Sequence, residues 1–227
     1  MPDFDDIPDL PRPTHLGYST PDAERWLRLH GSPPTRSELA RRRRLALVVS
    51  VAWFAVQFAA FGVRGDLDRL PAVYLLVLSL GPASAGILAL ALAIRGGQLG
   101  LGTKTLLVSG LAVLAPIAFM VSAFLLPIPY EHGETGDVSF GAYCLNCSLA
   151  WALLPIAAAG LSLRGAFAAG AVWRSALLGA GCGLVAAGVF TLHCSVVGKW
   201  HLVIAHGGAV LLSAIIGAVA LSWATRA

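Results

Sequence analysis

Phe190-Thr-Leu-His-Cys194-Ser-Val-Val-Gly-Lys199-Trp200-His201-Leu-Val-Ile-Ala-His206 is the stretch on which the fold turns. A short polar break, His193 to Lys199, separates two long apolar runs. The break holds a histidine and a cysteine side by side, and a Lys-Trp-His triplet opens the next run. About 20 apolar residues cross a hydrocarbon core ~30 Å thick, so two such runs around a short break read as consecutive membrane helices.

The pattern repeats outward from there. The chain has 227 residues, of which 57% are hydrophobic and 12% charged, and its mean hydropathy is +0.75. A soluble domain carries about 25% charged residues. The deficit lies in six apolar runs, over about residues 45–63, 71–94, 105–126, 141–163, 175–192 and 200–223. The expected fold is therefore an all-α membrane protein, a six-transmembrane-helix bundle in the bilayer. Pro82, Pro116 and Pro155 fall inside runs, where neighbouring helices can satisfy the freed carbonyls. Gly179-x-x-x-Gly183 flanks Cys182 and marks a close helix contact.

Residues 1–44 form a polar, proline-rich leader with an acidic start, expected to be partly disordered. Within it, Thr20-Pro21-Asp22-Ala23-Glu24 predicts a helix start, with Thr as cap, Pro at the first position and acids in the first turn. This short amphipathic helix presents Trp26, Leu27 and Leu29, a surface suited to a partner groove or to lipid. Ser37-Glu-Leu-Ala begins a second helix that continues through Arg41, Arg42, Arg43 and Arg44 into the first run. Residues 224–227 are a short tail.

The arginine quartet borders a membrane run, so it reads as an orientation signal and not as a nucleic-acid contact. Lys and Arg near one set of run ends number ten: Arg36, Arg41 to Arg44, Arg95, Lys104, Arg164, Arg174 and Arg226. The other set has three: Arg64, Arg69 and Lys199. The positive-inside rule then places both termini in the cytoplasm, with the acidic loop 127–140 and the His193–Lys199 break on the outer side of a bacterial inner membrane.

Enzyme motifs are missing. The sequence has no glycine-rich phosphate loop, no HExxH, no G-x-S-x-G and no charged residue in the interior of a predicted span, so neither an enzyme nor a proton-coupled transporter is expected. The chemistry-bearing residues are instead Cys144 and Cys147 at the start of the fourth run, Cys194 and His193 at the end of the fifth, His201 at the start of the sixth, and His132 in the acidic loop. In an oxidising compartment such residues form disulfides or bind a soft metal ion through thiolate and imidazole. Cys144 and Cys147, at i and i+3, share a helix face. His206 lies five residues past His201, about 140° around an α-helix, so the two are expected to face apart. His206 is expected to make a helix–helix hydrogen bond, with a ligand role as the alternative. No cofactor is required by any of this, although a soft ion fits the cluster. The alternative function is a membrane thiol–disulfide oxidoreductase that passes electrons from Cys144-x-x-Cys147 to a quinone.

Gly141-Ala-Tyr-Cys144-Leu, Leu192-His193-Cys194 and Trp200-His201, set in six spans behind a polar leader, resemble the NrsF-like membrane proteins of the DUF1109 group. The resemblance implies an anti-sigma factor that holds an extracytoplasmic-function (ECF) sigma factor at the cytoplasmic face and releases it under stress. It also implies that Cys144 and Cys194 are the sensing pair. Cys147 is a third thiol that departs from the pattern, and so does the long leader.

Overall fold

Apolar runs fold as helices in a bilayer because only a helix satisfies every backbone N–H and C=O within its own segment. The computed structural model describes residues 35–95, 105–126, 138–163, 171–196 and 198–222, which belong to one unit, Pro34–Ala227. The leader helix with Trp26, Leu27 and Leu29, the loop with His132 and the tail lie outside the described residues. Among the described residues there is no strand. Six of the described helices are long and apolar enough to cross a membrane: Ser37–Phe61, Ala72–Ala93, Leu107–Leu125, Gly141–Ser162, Val172–Phe190 and Lys199–Leu221.

Helix α1 spans Arg36–Phe61. Thr35 caps it, its Oγ1 accepting from the Glu38 N–H at 3.2 Å. Glu38 pairs with Arg42 one turn on. The quartet Arg41–Arg44 therefore lies inside the helix, ahead of its apolar part. Helix α2 runs through Ala72–Leu75, a π-helical turn Leu76–Leu80, and Gly81–Arg95. The π turn answers Pro82, which has no N–H and whose ring would clash with the carbonyl four residues back. Inserting one extra residue just ahead of Pro82 relieves that clash. Helix α3 is Thr105–Leu125 and α4 is Val138–Ser162, and both continue through their prolines. Helix α5 is Ala171–Phe190, so it starts earlier than the hydropathy of its run suggests. Helix α6 is built from Lys199–His201, a π-helical segment Leu202–Gly207, Gly208–Ile216 and a second π segment Gly217–Leu221.

Helix α5 is the hub. It packs on α2, α3, α4 and α6, and 78% of its span is buried inside the protein. Small residues make this possible, because helices in lipid associate by close packing and not by escape from water. A Cβ added at Gly86 of α2 would sit 2.6 Å from the Gly181 carbonyl oxygen, and one at Gly181 would sit 2.9 Å from that of Gly86. On the opposite side of α5, Gly179 meets Ser213 and Gly217 of α6. Cys182, 3% exposed between these contacts, is a core residue. By contrast, α1 packs on α4, and only 6% of its span is buried.

Because a backbone carbonyl oxygen faces each of Gly86 and Gly181, alongside the Val185 and Leu90 side chains, the contact cannot be relieved by side-chain movement alone. Gly86→Val is expected to lose about 1–3 kcal/mol, the usual cost of overpacking. The midpoint of denaturant unfolding in detergent measures this, and an unchanged midpoint would mean that α2 and α5 do not approach so closely.

Candidate functional site

The end of α5 unwinds in a sequence of tight turns. The N–H groups of His193 and Cys194 both donate to the Phe190 carbonyl, at 2.9 and 3.0 Å. This geometry turns two adjacent side chains to different neighbours. Cys194, 6% exposed, meets Cys144 of α4, 2% exposed, with their sulfurs 3.9 Å apart. His201, in the first turn of α6, brings its Nε2 to 3.3 Å from the Cys194 Sγ. The three donor atoms lie within 4.8 Å of one another. The Cys144 thiol holds the Cys194 thiol well below the usual thiol range, and the imidazoles of His201 and His206 add to the effect against the opposing pull of burial.

This donor set suits a thiophilic ion. Bond lengths of ~2.3 Å to sulfur and ~2.0–2.1 Å to nitrogen at tetrahedral angles require roughly 3.8 Å between sulfurs and 3.5 Å between sulfur and nitrogen. The observed 3.9 and 3.3 Å are within a few tenths of an ångström of those spans. A disulfide, at ~2.05 Å, would need the sulfurs drawn almost two ångströms closer.

The remaining sequence candidates separate from this cluster. Cys147, half-buried, packs beside the core and interacts with Tyr143, so Cys144 faces Cys194 and not its i+3 neighbour. His193 sits in an aromatic cage. Its ring lies 4.8 Å from Phe58, 4.9 Å from Trp151, 6.3 Å from Phe190 and 6.4 Å from Phe61, mostly edge to face. Neither of its ring nitrogens has a hydrogen-bond partner among the described residues, and burial lowers its pKa. His193 is thus the joint between α1, α4 and α5. Trp53 of α1 strengthens that joint by donating from Nε1 to the Trp151 carbonyl at 3.2 Å.

Two features were not anticipated from the sequence. The first is Arg64, which had counted only as a loop charge. Its side chain is 1% exposed. Nη1 donates to the Cys194 carbonyl at 2.6 Å and Nη2 to that of Ser195 at 3.2 Å. Nε and Nη2 grip Asp66 Oδ1 and Oδ2 at 2.6 and 2.8 Å, and the Arg64 N–H donates to the Leu192 carbonyl at 2.9 Å. Burial works against the guanidinium charge, but the hydrogen bonds and charge of Asp66 outweigh it and the pKa rises. Asp66 in turn is held below the usual carboxylate range by Arg64. The Arg64-Gly-Asp66 spacing directly after an apolar run was the available signal. The second is His206, fully buried and 5.5 Å from His201 between ring centroids. The expectation that these two rings face apart was wrong, because the intervening segment is π-helical and its i→i+5 bonding stacks residue i+5 over residue i. The expected helix–helix hydrogen bond is also absent, since neither His206 ring nitrogen has a partner among the described residues.

Among the described residues, six helices are long and apolar enough to cross a membrane, as in a multipass membrane protein, and a thiol–imidazole cluster lies where α4, α5 and α6 meet. The chain belongs to the NrsF family, negative regulator of sigma F, whose model matches residues 30–226. Comparison with characterised proteins and with solved structures gave no match.

Two measurements check this geometry. Arg64→Ala removes two hydrogen bonds from the Cys194 turn, and bonds from charged groups contribute about 1.5–3 kcal/mol each. Maleimide labelling of Cys194 should therefore speed up about tenfold or more, with Arg64→Lys in between because an ammonium lacks the planar fork. His193 has a lowered folded-state pKa, so the unfolded chain takes up a proton that the folded chain resists. Stability should be full above the ordinary histidine range near ~6.5 and should fall as pH drops through it towards the depressed folded value. His193→Phe should flatten that fall in pH-resolved unfolding curves.

Proposed function

We propose that this chain is an inner-membrane anti-sigma factor that sequesters an ECF-type sigma factor at the cytoplasmic face and releases it when Cys144 and Cys194, facing outward, meet a thiophilic metal ion or an oxidant. The family gives the negative regulation of a sigma factor. The observation that supports the sensing step is the Cys144–Cys194–His201 cluster, with the Cys144–Cys194 and Cys194–His201 spacings near those of a bound ion. The oxidoreductase reading needs Cys144 and Cys147 as one redox pair, whereas Cys144 faces Cys194.

The orientation follows from the Lys and Arg count, ten against three, which favours a cytoplasmic N-terminus. The cluster is then outward, because Arg64, just past the far end of α1 from the arginine quartet, binds the Cys194 turn. Helix α1 joins the two ends. Its 26 residues extend about 39 Å at 1.5 Å per residue. Closing the cluster on a ligand shifts the Cys194 turn, Arg64 carries the shift to α1, and α1 delivers it to the leader, where Trp26, Leu27 and Leu29 offer the sigma-binding surface. The arginine quartet and the bilayer hold the helix in register. No contact with nucleic acid is involved.

Induction of the sigma regulon tests this. Cys144→Ser and Cys194→Ser should each abolish induction by metal or oxidant while leaving repression in unstressed cells intact. Cys147→Ser should respond like the parent. Normal induction in both of the first two variants would remove the sensing claim, and failure of any sigma factor to co-purify with the full chain would remove the partner.

A further inference from the structure

Resting on that reading of the cluster, we propose that His206 is its fourth ligand, so that Cys144, Cys194, His201 and His206 form a closed Cys2His2 site for a zinc-like divalent ion. Three ligands alone would leave an open position for water, as catalytic zinc sites do. His206 is 0% exposed, its ring lies 5.5 Å from that of His201 between centroids, and neither of its ring nitrogens has a hydrogen-bond partner among the described residues. Its second ring neighbour is Phe190, at 5.4 Å between centroids. A buried imidazole with neither nitrogen partnered is costly, because each unsatisfied polar group loses its solvation without compensation. A lone pair directed at a metal removes that cost.

The backbone supports the same assignment. Residues Leu202–Gly207 are π-helical, a form whose single turns cluster at functional sites. An α-helix would send His206 to a different face from His201. The π segment puts both imidazoles on the side that meets the end of α5, with five residues of chain between them. Gly207 helps to hold this turn in place, since a Cβ there would sit 2.6 Å from the Met120 Cγ of α3. Two thiolates and two neutral imidazoles form a neutral tetrahedral site with a divalent ion, which suits a membrane-embedded position and selects borderline-soft cations over Mg2+ or Ca2+.

The test uses the tag-free full-length protein in lipid nanodiscs, loaded with zinc alone and examined by X-ray absorption at the zinc edge. Two sulfur and two imidazole scatterers are expected. One imidazole with an oxygen in its place would overturn the assignment, and that readout needs no variant. Cobalt titration then compares variants. His206→Gln should shift the ligand-field bands away from the four-coordinate pattern and weaken binding by at least the roughly 10–100-fold that loss of even an outer-shell partner costs. Unchanged bands and affinity in His206→Gln, with binding lost in Cys144→Ser, would remove only His206. Retained binding in Cys144→Ser, or no stoichiometric zinc uptake by the parent chain, would remove the metal reading of the whole cluster.

Discussion

One buried guanidinium ties the thiol site to the rest of the molecule. The turn after α5 has few ways to fix its shape, being short and without a regular ladder of its own. Arg64 supplies two side-chain bonds to its carbonyls and one backbone bond to Leu192, and Asp66 neutralises the charge that this requires. A charge at membrane depth or near it is tolerated when it is paired and fully hydrogen-bonded. Cys194 can therefore stand at a defined distance from Cys144 although the two come from different helices. Arg64 also makes the position of Cys194 and the end of α1 a single mechanical quantity.

His193 and Cys194 show how finely this end of the bundle is divided. They are adjacent in sequence, yet one ring fills an aromatic cage shared by α1, α4 and α5, and one sulfur joins a polar cluster between α4, α5 and α6. The cage is aromatic, and neither His193 ring nitrogen has a hydrogen-bond partner among the described residues. The cluster is rich in donors that favour a thiolate. Placing the two back to back keeps the thiol–imidazole cluster on one side of the turn and the aromatic packing on the other.

The helices were legible because hydropathy over a span of about 20 residues leaves a bilayer protein little choice of structure. That Cys144, Cys194 and His201 could meet followed from topology, since alternate ends of the runs must come to one side, but which helices are neighbours did not. Finer placement did not follow. Cys144 and Cys147 have the spacing of a shared face, and which of the two sulfurs meets Cys194 depends on the rotation of α4 against α5, which α-helical periodicity does not encode. His206 was misread because a uniform α-helix was assumed across Leu202–Gly207, and nothing but the local run His206-Gly-Gly hinted at a π segment. Pro82 carried a clearer signal, yet it was expressed as a wider turn upstream of the proline.

Almost none of the α1 span is buried inside the protein. Exposing more of it costs little, because lipid tails are as apolar as the side chains it would leave. Its seat on α4 consists of a few ring contacts, worth about 0.5–1.5 kcal/mol each, and the Trp53 hydrogen bond. The contacts that seat it on α4 therefore sum to only a few kcal/mol. Inverting a two-state ratio from 1:99 to 99:1 takes about 5.5 kcal/mol of differential affinity, and only the part of a ligand's affinity that differs between two positions of a helix counts towards it. Weak seating lowers what such a difference has to supply.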